Sequence, residues 1–277
     1  MPRIKIVRVA FFGFPLLYYR RHSHRGERPL EPTFFLMVGR SMKSVPILLL
    51  LGVSFPAWGT ALSGKVTAPG TPLKVEWVKM DADPKCVELH QNQPVKRDDL
   101  VVGGDGGVKN VFVFVKAGLK PEQIPAALHE PKVLDQKGCL YEPKVMGLRV
   151  GQPLKIRNSD MTSHNIRGIS KDNGAFNVST PRVMEMPKPV IFSKPEMAVR
   201  MKCDMHGWMA AYVHVMEHPF FAVTDEAGRF EIDGLPPGEY TIEARHESPR
   251  VGSKSMKVVV KEGTPAVVDF KFTVKPN

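Results

Sequence analysis

At 277 residues the chain has room for one or two domains and a sizeable core, and its 25 prolines, 23 glycines and Val-rich runs point to strands rather than long helices. The formal net charge of +11 does not signal nucleic acid: residues 1–61 carry nine Lys/Arg against two Asp/Glu, leaving thirty against twenty-six in the rest. No basic stripe is interleaved with aromatics, so RNA and DNA are not expected partners.

The segment 1–41 joins the apolar stretch Phe11 to Tyr19 to the basic stretch Arg20 to Arg28. It reads as a doubtful N-terminal extension, most simply explained by translation starting at Met42. Over 42–61, Met42-Lys43, the apolar run Val45 to Phe55 and the small residues Gly59-Thr60-Ala61 have the layout of a secretory signal peptide. The mature chain would start near Leu62 and be periplasmic or secreted. That apolar run is too short for a membrane span of about 20 residues, so no stable span is expected in the mature protein.

Next, Lys74 to Lys79 alternates apolar and polar residues, as a half-buried strand does. The run Gly103-Gly104-Asp105-Gly106-Gly107 lacks the Lys-Ser/Thr of a phosphate loop and opens no helix pattern, so it reads as a hairpin turn. Val111 to Val115 follows as a strand buried on both faces, completing a sandwich with its neighbours in the chain. Lys120 to Glu130 reads as a loop with one short helical turn. Val150-Gly151-Gln152-Pro153 is a turn, after which the strand Leu154 to Asn158 delivers the chain toward His164.

The chemistry concentrates further on. His164-Asn165 lies thirty-nine residues before Cys203, and Cys203-Asp204-Met205-His206-Gly207-Trp208-Met209 places a thiol, an imidazole and a thioether in one loop. Two His and a Cys in a plane, with a long axial Met, suit copper electron transfer, because soft sulfur favours Cu(I) and imidazole serves both oxidation states. Taken singly, each residue has a structural reading: a cysteine packs as a small hydrophobe, a histidine at a strand end is a satisfied polar group, and Met209 beside Trp208 is core filler. The joint pattern favours ligation.

From about Tyr141 to Met216 the chain resembles the cupredoxins, plastocyanin-like proteins among them, and above all the amicyanin-like members, whose ligand loop has the same Cys-x₂-His-x₂-Met spacing and whose first ligand is a His followed by Asn. The resemblance implies a Greek-key β-sandwich over 62–216 holding one type 1 (blue) copper through His164, Cys203, His206 and Met209. It also implies that Asn165 supports the Cys203 sulfur, that electrons enter through the exposed ring edge of His206, and that Gly207 and Trp208 help form a docking surface. A Pro usually follows the His in amicyanin-like loops; Gly207 stands there instead, which bears on loop rigidity and potential. With Cys203 committed to metal in an exported protein, Cys86 and Cys139 are left to form a disulfide, since no Cys-x-x-Cys motif offers them another role.

The character changes after the strand Ala211 to Met216. Thr224-Asp225-Glu226-Ala227-Gly228-Arg229-Phe230 and Leu235-Pro236-Pro237-Gly238-Glu239-Tyr240 resemble the hairpin and strand entry of the carboxypeptidase-regulatory-like, transthyretin-type β-sandwich. The segment 217–277 is short for a full module of that kind, so a strand is missing or donated from around Gly64-Lys65-Val66. His214, His218 and His246 read as structural.

The expected architecture is therefore all-β, a cupredoxin-like sandwich with a small prealbumin-like sandwich after it. The expected function is one-electron transfer to a redox partner protein, not an enzymatic activity, because no second His-rich catalytic copper cluster is present. An extracellular binding or structural module, or a periplasmic copper carrier, are the alternatives.

Overall fold

The computed structural model describes residues 10–11, 14–15, 60–70, 75–126 and 130–275. In the unit 1–54 these are a short antiparallel pair, Ala10–Phe11 with Phe14–Pro15. The apolar core of the expected signal peptide lies outside the described residues. All that follows concerns the unit 55–277.

Among its described residues that unit is nearly all β, in four sheets, with one α-helix, Pro84–His90, and a short 3-10 turn, Pro121–Gln123, inside the loop expected there. In one sandwich, the order across the first sheet is Phe176–Thr180, His164–Ile169, Glu196–Lys202, Ala210–Met216 and Val145–Arg149, the last pair running parallel. The second sheet is built on Pro153–Asn158, which pairs in parallel with Lys132–Lys137. The two-residue period of a strand explains why they face each other: along Pro153–Asn158, Leu154, Ile156 and Asn158 are buried. Leu154 and Ile156 meet Leu134, Leu148, Ile166, Val199, Met201 and Val213 in one core. Each fully buried aliphatic side chain stabilises this packing by roughly 1.5–3 kcal/mol.

The other sandwich packs Phe221–Val223, Phe112–Ala117, Gly238–His246 and Gly252–Val260 against a sheet of Arg229–Leu235, Thr60–Thr67, Ala266–Val267 and Phe270–Lys271. Its core gathers Leu62, Val66, Val113, Val115, Phe230, Ile242 and Phe270. Thr60–Thr67, which contains Gly64-Lys65-Val66, is the donated strand. A Cβ at Gly64 would lie 1.9 Å from the Val268 carbonyl oxygen, so glycine lets the C-terminal segment pack there.

Two differences from the sequence reading follow. The strand at Val111 to Val115 is buried on both faces, as expected, but it pairs with Gly238–His246 rather than with the sheets around His164. Val113 and Val115 face their own core, while Phe112 and Phe114 pack with Val145 and Met216 of the first sandwich. The segment 62–216 thus supplies strands to both sandwiches. Lys74 to Lys79 forms no strand among the described residues. Trp77 makes one isolated bridge to Lys96, and with Val75 and Trp77 about half exposed the alternation covers no core. The glycine run is the expected turn: Val102 bridges Val108, and Gly106 has φ +80°.

Candidate metal centre

Three of the four candidate ligands sit at strand ends and His206 lies in the loop between two of them, where side chains converge. His164 opens the strand His164–Ile169, Cys203 follows Glu196–Lys202, and Met209 immediately precedes Ala210–Met216. The loop between is drawn tight: the Met209 N–H donates to the His206 carbonyl at 2.9 Å, and the Cys203 N–H to the Met209 carbonyl at 3.3 Å. His164, Cys203, His206 and Met209 are all buried.

The three strong donors come together. Nδ1 of His164 lies 2.9 Å from Nδ1 of His206, Sγ of Cys203 lies 3.7 Å from that same His206 nitrogen, and the donor atoms of the three are all within 4.8 Å of one another. Met209 is buried in the same cluster as Cys203. Asn165 braces the loop from beneath. Its Oδ1 lies 3.3 Å from Cys203 Sγ and accepts from the Asp204 N–H at 2.7 Å.

Two carboxylates that the sequence reading passed over complete the arrangement. Nε2 of His164 donates to Asp160 at 2.8 Å, and Nε2 of His206 to Asp83 at 3.1 Å. Asp160 is itself fixed by the N–H groups of Gly138 and Cys139. Asp83 caps the helix Pro84–His90 through the Lys85 N–H and accepts from the Thr162 hydroxyl. With both outer nitrogens donating to carboxylates, the 2.9 Å contact between the two Nδ1 atoms is a hydrogen bond when His164 carries a second proton, and once that proton leaves both lone pairs turn toward each other and can share a cation.

The electrostatics follow from these contacts. Burial opposes charge on His164, but the Asp160 carboxylate and Cys203 outweigh it and push the imidazole up to about 9. Burial also works against a thiolate at Cys203, yet hydrogen bonds from His164 and from the N–H groups of Asn165, His206 and Met205 leave the thiol below its usual value. His206 moves down, through burial and then the neighbouring His164 charge. A thiol and two imidazoles converging in this way are a donor set that could hold a thiophilic cation.

The loop's surface differs from expectation. His206 is 2 % exposed, because the helix Pro84–His90 and its cap cover it. The Cys86–Cys139 disulfide, with Cα atoms 5.7 Å apart, ties that helix down, and Cys86 Sγ lies 3.9 Å from His206 Nε2. The ring edge of His206 is thus no exposed electron port. Gly207 is exposed, whereas Trp208 is half-buried and donates its indole N–H to the Cys139 carbonyl at 2.9 Å. Sequence signals for the cover existed: Asp83-Pro84 is a cap followed by a first-turn proline, with Cys86 two residues on.

A family model described as the second β-sandwich domain of NOMO1-like subunits of the BOS complex matches residues 218–275. No curated protein matches the chain. Among solved structures, a variant of amicyanin in its Cu(I) form is 15 % identical, with 38 % of this chain aligned to 98 % of it at a TM-score of 0.28. A purple cupredoxin from Nitrosopumilus maritimus is 19 % identical, over 31 % of this chain and 98 % of its own, at 0.26. The Cu-containing nitrite reductase of Thermus scotoductus SA-01 is 20 % identical over 36 % of this chain, at 0.29, and this chain spans 27 % of that reductase's length.

Proposed function

We propose that the protein is an exported copper protein that carries single electrons, with His164, Cys203 and His206 as strong ligands and Met209 as a weak axial one. The observation that carries this reading is the pair of buried imidazoles, each held from behind by a carboxylate, facing each other and a buried thiol. A copper ion bound there would supply one-electron exchange between Cu(I) and Cu(II). The chain's own residues do the rest. Asp160 and Asp83 fix the tautomers that turn both Nδ1 atoms inward, and the N–H groups around Cys203 stabilise the thiolate. The apolar shell of Leu134, Ile166 and Met201 limits water and so reorganisation.

Because the cover closes over His206, exchange with a redox partner would pass through the Trp208 and disulfide side of the site or through the loop at Gly207. In this reading the chain is not an enzyme. The test is addition of Cu(II) to metal-free, disulfide-intact protein. An intense visible thiolate-to-copper band is expected, absent in Cys203→Ser; stoichiometric copper without colour would reject the assignment. The match over 218–275 favours a second role for that sandwich as a binding or structural module, which a chain that takes up no copper at all would promote to the main reading.

A further inference from the structure

His206 stands between two donor sets. Its Nδ1 faces His164 and Cys203, and its Nε2 faces Asp83 Oδ2 at 3.1 Å and Cys86 Sγ at 3.9 Å. Donor atoms of Asp83, Cys86 and His206 all lie within 4.8 Å of one another, as do those of Cys139, Asp160 and His164. In a tetrahedral site with bonds of about 2.0–2.3 Å, neighbouring donors are separated by about 3.3–3.8 Å, so the two separations at Nε2, 3.1 and 3.9 Å, lie just outside that range on either side and need only small side-chain shifts to enter it. What keeps this second set from ligating is the bond between Cys86 and Cys139, because a disulfide sulfur carries no thiolate charge.

We propose that the disulfide gates a second metal site, in which Asp83, Cys86 and the outer nitrogen of His206 bind a thiophilic d10 ion once Cys86–Cys139 is reduced, with Cys139, released from its bond to Cys86, swinging in as the fourth donor. The donor set of two thiolates, an imidazole and a carboxylate is that of a closed zinc-type site. His206 then bridges two ions through its two nitrogens, having given up its ring proton. The redox step needs a named reductant. A phosphine attacks one sulfur, the S–S bond breaks, water supplies oxygen to form the phosphine oxide, and two thiols result; a dithiol does the same by exchange, ending as its own disulfide. The incoming ion displaces the thiol protons. The ion thereby takes over from the disulfide in pinning the helix Pro84–His90, which at seven residues does not persist without such anchoring.

This inference shares His206 with the copper reading but stands apart from it in the test. The full chain, freed of metal, is titrated with Zn²⁺, which does not reoxidise thiols, against a chromogenic chelator, while iodoacetamide counts free thiols in parallel. About one ion per chain is expected with the disulfide intact and about two after phosphine reduction. Cys139→Ser frees Cys86 without any reductant and should also bind about two, the second more weakly, while Cys86→Ser should bind about one in either state. Hydrogen exchange over residues 84–90 adds a readout independent of affinity: protection lost on reduction should return with the second equivalent of Zn²⁺. If reduced wild type and Cys139→Ser both stop at one ion, the second site is refuted. If the intact chain binds none while the reduced chain binds one that Cys86→Ser abolishes, the second site stands on its own, and the copper reading is decided separately by the colour test with Cu(II).

Discussion

The carboxylates behind the two histidines are unequal partners. Asp160 is nearly fully buried and accepts from two backbone N–H groups as well as from His164, whereas Asp83 reaches solvent. Asp160→Asn leaves these buried donors short of a charged acceptor and frees His164 to rotate. We expect it to weaken metal binding about 10–100-fold and to lower stability, with Asp83→Asn milder on both counts. Chelator competition and denaturant melts on the two variants check the order; equal effects would show that neither carboxylate orients its histidine. Met209 differs again. Met209→Leu should retain copper and colour while raising the potential, because the thioether bonds weakly, and His164→Ala should lose copper. Voltammetry and copper content together decide: equal copper loss in the two variants would remove Met209 from the axial position.

At the scale of elements, the helix Pro84–His90 is a cover held at separate points. Asp83 reaches His206 and Thr162, Cys86 is bonded to Cys139, and Nε2 of His90 lies 2.7 Å from the Gly138 carbonyl oxygen. The disulfide closes a loop of 53 residues, for which chain entropy gives roughly 4 kcal/mol. The metal-free Cys86→Ala/Cys139→Ala double variant is therefore expected to unfold at lower denaturant with the first sandwich still assembled, since Leu134, Leu154 and Val213 form its core without the helix. A shifted midpoint with near-wild-type strand content supports this; no shift would mean that the bond constrains little that packing does not already hold.

The whole unit is laced across its seam. Phe112, from the second sandwich, stacks on His214 of the first with ring centroids 4.0 Å apart, and Gly147 leaves room for the Phe221 ring. A chain ending at residue 217 would strip Thr60–Thr67 and Phe112–Ala117 of their partners, so we expect it to aggregate rather than fold. The same seam sets an acid limit. Burial pushes His214 down to about 3 and His246 down to about 4, so both stay neutral in the fold while the unfolded chain takes up protons below about 6.5. Their contribution is constant above that value and is lost as pH falls toward 4, each at up to about 1.4 kcal/mol per pH unit. His246→Asn keeps an acceptor for the Ser248 N–H and should make the loss between pH 7 and pH 5 shallower in denaturant titrations. An unchanged slope would place the acid sensitivity elsewhere.

Local chemistry made part of this protein legible in one dimension. Strand period and turn glycines showed an all-β chain, the Cys-x₂-His-x₂-Met loop and the distant His164 showed which residues converge, and setting Cys203 aside as a ligand left Cys86 and Cys139 as the pair that the fold bonds. Those features depend on residue type and short spacing, which a sequence displays directly. Tertiary structure alone decided the rest. The strand Phe112–Ala117 joins the second sandwich although its sequence would suit either, because a strand apolar on both faces does not record which sheet will supply its hydrogen-bond partners. The covering of His206 was equally hidden: Asp83 is 123 residues away from it along the chain, and only the folded path of the disulfide loop brings that carboxylate to the imidazole.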